Sequence, residues 1–458
     1  MSNQCVIRIS KVSSCYNTSY ILMEISDIQR DSDLSIAVAC KDADVRNVTA
    51  LIIGPHETPY EFGFFEFGFK FPKEYPRAEP QVTALTTNSG RTRFNPNIYA
   101  DGKVCLSILG TWRGERGEQW SAAQGLESIL LSIQSLMSSN PYENEPGFED
   151  ANEPIDEENR KKYVEKIRHE TLRISVIVRL ERYLNIAHVY QSSRPSVSQS
   201  LALAAETCPG YAEDDTPFEP FKDLCKRRFL WYYDAYMDSV SQGEAENCDK
   251  THFTRMPFEG HSNIMNGSFN YADLKSRLKV IKSKLDKETL AWAVAGKQKF
   301  LDGSTVAANL QGQFEHVVEM FKANSMPHNI ELEDGSPFVW VVTYFGKPMT
   351  NLDGGMFRFR ISISPSFPHE QPRVRVETKI FHHRVAKDGT ACYFVTPQKR
   401  EDIMSHITGV IDALEEENPS YDPRTMVHPE AHNLLWGSAD DRKMYNRRLR
   451  RSVQQSME

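Results

Sequence analysis

The stretch that decides the fold is FNPNIYADGKVC, residues 94–105, because a second stretch, FHHRVAKDGTAC at residues 381–392, aligns with it without a gap. Both copies keep an Asp-Gly pair and end on a cysteine, Cys105 in the first and Cys392 in the second. Self-similarity across a long interval indicates a structural unit that occurs twice. The chain is therefore expected to contain two copies of one fold.

An alternating stretch lies upstream of each motif. From Phe65 to Phe71 every second residue is phenylalanine, which is the period of a strand with one buried face. MFRFRISIS, residues 356–364, repeats this pattern at an offset of 292 positions. A proline-rich turn follows in each copy, with Tyr75-Pro76 matched by Phe367-Pro368. The aromatic stripe is predicted to be a strand face in the core.

Helical periodicity surrounds the strands. A helix is predicted at residues 20–30, strands at 35–39, 48–54, 64–71 and 81–85, and a further helix from Leu126 that stops at Asn140-Pro141. The second copy repeats that later helix from Ile403 and ends it at Asn418-Pro419. The pattern predicts an α+β fold in each copy, with an N-terminal helix, a four-stranded antiparallel meander and C-terminal helices.

Four segments are predicted along the chain. The first copy occupies residues 17–190, and a linker at 191–217 is indicated by a shift toward Ser, Pro and Ala. A mostly helical middle region follows at 218–300, and the second copy occupies 303–458. The pattern of the middle region carries no recognisable chemistry.

Composition narrows the class of protein. The 458 residues carry a formal charge of -8, so nucleic acid is not expected as a partner, and no run of 18 apolar residues predicts a membrane span. The eight cysteines are scattered without a CxxC pair, which predicts free thiols in a reducing compartment. We expect a soluble protein of the cytoplasm or nucleus.

Asn95-Pro96-Asn97, with Asn97 eight residues before Cys105, resembles the active-site signature of ubiquitin-conjugating enzymes, in which the triplet is His-Pro-Asn. Residues 17–185 look most like the Z-type branch, through FNPNIYADGKVCLSILGTW, SIQSLMSSNPYENEPGFE and IRHETLR. The resemblance implies that Cys105 accepts ubiquitin or a ubiquitin-like modifier as a thioester from an activating enzyme. Transfer to the lysines of protein substrates would follow, with no metal or organic cofactor.

Thiol chemistry agrees with this role. A thiolate exchanges acyl groups with another thioester at nearly no free-energy cost and needs no strong base beside it. When a lysine attacks the thioester, Asn97 is the candidate that stabilises the negative carbonyl oxygen. The alternative for Asn97 is a turn residue that braces its own loop. Asn95 and Pro96 are assigned a structural role in that loop.

Other positions bear on transfer and docking. Glu143 lies where relatives often place an acidic residue that orients the incoming lysine, and a solvated loop carboxylate is the alternative. Arg77 and Ala122 replace residues that many relatives present to RING-type ligases, so a ligase partner is less firmly implied than the activating enzyme. Glu24 and Asp27 give the first helix an acidic face where relatives carry Lys or Arg.

The second copy departs from the signature at its triplet. His382-His383-Arg384 stands there, so Arg384 takes the oxyanion position, and the copy is predicted to be inactive despite Cys392. A metal site of the two histidines and Cys392 is disfavoured because adjacent residues of a strand point to opposite faces.

Two other classes of function stay open at this point. Both copies could act only as a scaffold that binds ubiquitin or a ligase. Cys105 could instead serve a Cys-His hydrolase, for which His56 and His169 are available but no motif singles them out. The retained spacing of Asn97 and Cys105 favours the conjugating enzyme.

Overall fold

A computed structural model of the chain describes residues 16–30, 34–114, 117–151, 153–186, 217–260, 264–324 and 328–457. Helix α1 (Tyr16–Arg30) opens the first copy, and its predicted apolar positions Ile21, Ile25 and Ile28 are buried. Four antiparallel strands follow in sequential order: β1 (Ile36–Lys41), β2 (Asp44–Ile53), β3 (Phe64–Lys70) and β4 (Gln81–Ala84). The predicted helix and meander are confirmed.

Strand β3 is buried on both faces. Phe65, Phe67 and Phe69 pack into the core beneath α1, as the alternation predicts. Phe64 points the other way, yet it is fully buried in a second apolar cluster formed with later helices. The prediction of one buried face was therefore incomplete, because the outer face of this sheet is covered by residues far along the chain.

The first copy closes with helices. Helix α2 (Leu126–Leu136) supplies the apolar face that includes Ile129 and Ile133, and a short 3-10 turn (Pro141–Asn144) follows it. Helix α3 (Pro154–Glu170) then passes without a break through a π-helical stretch (Thr171–Val178) into α4 (Arg179–Tyr183). The π-helical stretch packs against the outer face of the first sheet.

Two long helices form the middle region. They are α5 (Lys222–Glu246) and α6 (Tyr271–Leu301), and their apolar sides contact each other. Both helices lie where a mostly helical middle region was predicted. They cover the outer face of the first sheet, where Leu51, Ile53 and Phe64 share one apolar cluster with Phe229 and Tyr236 of α5.

The second copy repeats the first. After α7 (Thr305–Ala323) comes another sequential antiparallel sheet, followed by helices that pack on it. These elements are β5 (Asn329–Leu332), β6 (Val339–Phe345), β7 (Met356–Ser362), β8 (Arg373–Val376), α8 (Ile403–Glu415), α9 (Pro429–Trp436) and α10 (Ala439–Gln455). The prediction of two α+β folds joined by a helical region is confirmed.

Some predictions fall outside the described residues. Positions 191–216 of the predicted linker, and Cys5, Cys15 and Cys208, lie there. The other five cysteines, Cys40, Cys105, Cys225, Cys248 and Cys392, are free thiols. Within the described ranges, no helix is both long enough and apolar enough to cross a bilayer.

Candidate active site

The turn that carries the first cysteine is held by Asn95. Its side-chain amide donates to the Tyr60 hydroxyl over 3.0 Å and to the Leu136 carbonyl at the end of α2 over 2.8 Å. Its side-chain oxygen accepts the Asn97 backbone amide over 2.9 Å. Asn95 is fully buried, so these bonds replace the water that its amide loses. The triplet is thereby fixed to the core.

Asn97 and Cys105 face each other across this turn. The Cys105 amide donates to the Asn97 carbonyl over 2.8 Å, and the Asn97 side-chain amide donates back to the Cys105 carbonyl over 3.1 Å. The second bond is the bracing contact that a turn residue is expected to make. An amide nitrogen carries two hydrogens, so one donor of Asn97 is left for another acceptor.

The Cys105 thiol lies under a tyrosine. The residue is only 2% exposed, and the Tyr99 hydroxyl forms a hydrogen bond with the thiol. Burial raises the pKa of Cys105, whereas the charge of Lys103 and the Tyr99 hydrogen bond act in the opposite direction. The site therefore holds a largely protonated thiol beside groups that favour its thiolate.

A buried arginine ties this turn to two later parts of the chain. Arg93 donates to the Pro96 carbonyl and, over 2.9 Å, to the Glu145 carboxylate. Its guanidinium lies 4.7 Å from the centre of the Tyr99 ring and 5.8 Å from that of Phe258 in the middle region. Arg93 thus supports both the triplet and the tyrosine that covers the thiol.

Glu143 lies on the 3-10 turn after Asn140-Pro141. Its carboxylate is 41% exposed and is 3.5 Å from the guanidinium of Arg160, which partly neutralises it. Arg93, which supports the triplet, pairs instead with Glu145, two residues after Glu143. The lysine-orienting role of Glu143 stays a prediction.

The loop between Cys105 and Trp120 is anchored by Thr111. The Thr111 hydroxyl donates to the Val104 carbonyl over 2.7 Å and accepts the Leu106 amide over 3.0 Å. Trp112, the next residue, is exposed. Trp120, at the far end, donates from its indole nitrogen to the Pro76 carbonyl over 2.9 Å. An aromatic side chain is thus presented from a loop that begins beside the thiol.

The second copy repeats the backbone of this site with other side chains. The Cys392 amide donates to the Arg384 carbonyl over 2.8 Å, and the His382 ring accepts the Arg384 amide over 3.1 Å. The Arg384 guanidinium is 3.9 Å from the Cys392 sulfur and 3.0 Å from the Glu416 carboxylate. A charged fork therefore occupies the place of the Asn97 amide.

Helix α5 covers this second cysteine. Cys392 is 1% exposed and belongs to the apolar cluster that includes Phe229 and Tyr232. The Tyr232 hydroxyl donates to the Arg424 carbonyl over 2.8 Å, and its ring stacks on Phe62 of the first copy at 4.0 Å. Burial raises the pKa of Cys392. The thiol is thus enclosed between the middle region and its own domain.

The two histidines of the second triplet do not point apart. Their ring centres are 4.5 Å from each other, because residues 382 and 383 lie in a turn rather than in a continuous strand. The argument from strand alternation was therefore wrong. Burial, with a contribution from Arg384, lowers the pKa of His382 to about 3, so its ring is neutral. Among the described residues no group of three His, Cys, Asp or Glu side chains could hold a metal ion.

The family model described as ubiquitin-conjugating enzyme matches residues 20–171 and 311–451, which are the two copies. The chain belongs to the ubiquitin-conjugating enzyme family. It is 37% identical over 280 residues to ubiquitin-conjugating enzyme E2 Z of Xenopus tropicalis, covering 61% of this chain and 72% of that protein. For the Homo sapiens E2 Z the values are 36% over 282 residues, 62% and 64%.

A Caenorhabditis elegans protein named probable ubiquitin-conjugating enzyme protein 17 is 46% identical over 151 residues. That match covers 32% of this chain and 21% of the relative. These comparisons agree with a resemblance to the Z-type branch of the ubiquitin-conjugating enzymes, accompanied here by a second domain. Membership of this family implies ubiquitin, an activating enzyme and a ligase as the general classes of partner.

Three residues of the first site were missed by sequence reasoning: Arg93, Tyr99 and Glu145. Arg93 and Tyr99 flank the triplet, so their nearness to it was the available signal. Glu145 is 52 positions from Arg93, and no sequence pattern links the two. A pair at such separation is visible only when the helix that precedes Asn140 is packed against the turn.

Proposed function

We propose that this ubiquitin-conjugating enzyme accepts ubiquitin, or a ubiquitin-like modifier, as a thioester on Cys105 and passes it to substrate lysines. The observation that carries the proposal is the reciprocal pair of hydrogen bonds between Asn97 and Cys105, 2.8 and 3.1 Å long. These bonds fix the amide of Asn97 beside the carbonyl end of the reactive residue. The second copy keeps the backbone bond, from the Cys392 amide to the Arg384 carbonyl, but has the Arg384 guanidinium in place of the Asn97 amide.

Charging is a thioester exchange. The Cys105 thiolate attacks the modifier carbonyl on the activating enzyme, a new carbon–sulfur bond forms, and the cysteine of the activating enzyme leaves as a thiolate. Cys105 is only 2% exposed and the Tyr99 hydroxyl lies close to its sulfur, so we propose that Tyr99 moves aside when the modifier is bound. Tyr99 is itself only partly buried, which allows that movement.

Transfer is attack by an amine on the thioester. The substrate lysine nitrogen bonds to the carbonyl carbon, negative charge develops on the oxygen, and the intermediate collapses with loss of a proton and of the Cys105 thiolate. A preorganised amide donor at such an oxygen contributes about 3 kcal/mol of transition-state stabilisation. We assign this role to the remaining donor of Asn97, which is kept in place by its bond to the Cys105 carbonyl.

Docking of the activating enzyme is affected by the first helix. Glu24 of α1 is not free, since its carboxylate accepts the Tyr75 hydroxyl over 2.6 Å and lies 3.4 Å from the Leu126 amide. Asp27 pairs with Arg30 at 3.4 Å on the surface. We therefore propose that an activating enzyme would meet a nearly neutral helix face. A ligase partner and a cytoplasmic or nuclear location are further parts of the proposal.

For the second copy we propose a noncatalytic, scaffolding role. Cys392 lies beneath α5, and the Arg384 guanidinium is held by Glu416 in the oxyanion position. Opening this site would require α5 to leave an apolar cluster that also packs on the first sheet. The burial of this cysteine favours a domain that supports the first copy.

The test is a charging assay with the full chain, activating enzyme, ATP and ubiquitin. We expect an adduct that is cleaved by reductant in the native protein and in Cys392→Ser, and no such adduct in Cys105→Ser. The assay is repeated with other modifiers and their activating enzymes if ubiquitin is not accepted. Failure with every modifier would replace this proposal with a binding scaffold, and an adduct lost in Cys392→Ser would overturn the assignment of the second copy.

A further inference from the structure

A cavity of about 1400 Å³ lies between the middle region and the second domain. Its walls come from the edge strand β1, from helices α5 and α6, and from the segment that follows Cys392. Trp231 of α5 and Phe394 of the second domain meet in it, with ring centres 5.7 Å apart at an angle of 77°. The cavity is distinct from the candidate active site, since neither Asn97 nor Cys105 lines it.

The acidic groups on its walls are already paired with cations. Asp223 accepts from Arg227 over 2.8 Å, and Asp388 lies 2.8 Å from Lys282. The other pairs are Glu219 with Lys222, Asp286 with Lys282 and Glu377 with Arg360. Asp42 also has a partner. Every acidic group on the walls therefore has a partner, although the buried Oδ1 atom of Asp223 accepts no hydrogen bond.

Two arginines that line the same cavity have no such balance. Arg228 is 6% exposed, and its Nε and Nη1 atoms have no hydrogen-bond acceptor within the described part of the chain. Neither Arg228 nor Arg400 forms an ion pair with any carboxylate among the described residues. The Arg228 guanidinium lies 4.1 Å from the centre of the Trp231 ring. This cation–π contact replaces only part of the hydration free energy that a buried cation loses.

The charges of Arg227, Arg228 and Arg400 act on one another. Although Arg400 is exposed, partial desolvation by the surrounding protein and then the charge of Arg227 lower its pKa to about 10, whereas Asp223 acts to raise it and Arg228 to lower it. His406 adds no charge, because its ring nitrogens are used by the Tyr393 hydroxyl and the Arg400 carbonyl and burial lowers its pKa to about 4. A net positive cluster thus faces a cavity that has space for a ligand.

We propose that Arg228 and Arg400, with Arg227 beside them, form a binding site for a small organic anion that carries at least two negative charges. Guanidinium groups make paired hydrogen bonds to phosphate and carboxylate groups, and the Nε and Nη1 donors of Arg228, which have no acceptor and lie just below the cavity surface, would reach an anion after a rotation of the side chain. Its depth in the cavity favours a small molecule over the surface of a folded protein. The anion would connect α5 to the loop after Cys392 and so strengthen the contact between the middle region and the second domain.

The experiment measures binding of pyrophosphate and of citrate to the full chain, by titration calorimetry and by thermal unfolding at constant ionic strength. Pyrophosphate represents phosphate ligands and citrate represents polycarboxylates. The anion that binds more tightly therefore shows whether the site prefers phosphate or carboxylate groups. The variants are Arg228→Met and Arg400→Gln. Arg375→Gln is the matched control, because Arg375 lines the same cavity but already lies 4.0 Å from Asp388.

We expect one of the anions to raise the unfolding midpoint of the native chain and of Arg375→Gln, and the affinity to fall at least about tenfold in Arg228→Met and in Arg400→Gln. Without ligand, Arg228→Met should unfold at a higher temperature than the native chain, since an uncompensated buried charge is removed. If that variant does not fold, Arg400→Gln decides, because Arg400 is exposed to the cavity.

Two results would overturn the proposal. One is equal binding in the native chain and in all three variants, which would show an adventitious ion elsewhere on the surface. The other is no response to either anion up to about 10 mM, whatever the unfolding midpoint of Arg228→Met. The guanidinium would then serve only to pack on Trp231.

Discussion

In the first copy the Cys105 amide donates to the Asn97 carbonyl over 2.8 Å, and in the second the Cys392 amide donates to the Arg384 carbonyl over the same distance. The tight turn between them is also shared, since Gly102 and Gly389 both have positive φ angles, 95° and 91°. Both copies therefore have the same backbone around the cysteine, although their side chains differ. This backbone is a structural property of the fold.

Asn95 and His382 hold this backbone through equivalent contacts, although their side chains differ. Asn95 donates to the carbonyl of Leu136 at the end of α2, and His382 makes the equivalent contact with Leu414 of α8. Both also accept the backbone amide two residues later, over 2.9 and 3.1 Å. A side-chain amide and a neutral imidazole each offer at least one donor and one acceptor, so His382 can make both of these contacts in place of Asn95.

What separates the two sites is the oxyanion residue and the cover. Cys105 lies beneath the side chain of Tyr99, whereas Cys392 lies beneath the whole of α5. A single side chain can move on a time scale of nanoseconds, whereas a packed helix leaves only by partial unfolding. On the proposal that the second copy is noncatalytic, its loss of activity would need no change of fold, only a neighbour that covers the cysteine.

Asn97→Arg gives the first site the residue of the second, and it is expected to have the largest effect. Transfer to free lysine in a single-turnover assay should fall by about 10² to 10³-fold, because the amide donor is replaced by a longer charged group. Arg384→Asn is the matched control and should leave transfer unchanged. Normal transfer by Asn97→Arg would mean that the oxyanion is stabilised by another group.

Arg93→Met tests whether Arg93 supports the turn of the first copy. The second copy has Ile380 at the position of Arg93. The change leaves Glu145 without its cation, and a loss of about 3 kcal/mol is typical when one partner of a buried pair is removed. Hydrogen exchange at the Cys105 amide should accelerate by about 100-fold.

Arg93→Lys keeps the charge without the fork of donors, so its exchange should be intermediate. The Cys392 amide is the internal control and should not change in either variant. Unaltered protection of Cys105 in Arg93→Met would show that Asn95 alone fixes the turn.

Tyr99→Phe removes the hydroxyl that contacts the thiol, at a position where the second copy has Ala386. The hydrogen bond lowers the pKa of Cys105, so its loss leaves the thiol with a higher pKa and less thiolate at neutral pH. Alkylation of Cys105 by iodoacetamide should slow by about threefold at pH 7, and its pH midpoint should move upward. Unchanged alkylation with an unmoved midpoint would show that the Tyr99 hydroxyl does not act on the thiol, because phenylalanine keeps the ring.

The elements of both domains were predictable because their signals are local. The alternation from Phe65 to Phe71 and the helical spacing before Asn140-Pro141 each lie within one element, and the structure confirms them. The repeat of the cysteine turn was predictable for the same reason, since twelve aligned residues contain the whole turn. The pairing of Asn97 with Cys105 was implied by the resemblance of this turn to the signature of ubiquitin-conjugating enzymes.

The remaining features depend on contacts between distant residues. Phe64 is buried because α5 and the π-helical stretch cover the outer face of the sheet, more than 100 positions later. The contact of Arg93 with Glu145 and Phe258, and the burial of Cys392 under α5, have the same origin. Sequence periodicity reports which face of an element is apolar, but it does not report which element covers that face.

Glu143→Gln is expected to have the smallest effect. It tests a further difference between the two copies, because the second has Tyr421 at the matching position after Asn418-Pro419. The Glu143 carboxylate is 41% exposed and pairs with Arg160, so neutralising it should change unfolding by less than about 1 kcal/mol. We expect discharge to lysine to fall by less than about threefold, within the range of a weakly coupled surface charge. Discharge to hydroxylamine, a nucleophile that needs no deprotonation, is the control. A tenfold or larger loss with lysine alone would assign Glu143 to the orientation of the incoming amine, because only a group that contacts the nucleophile distinguishes the two acceptors.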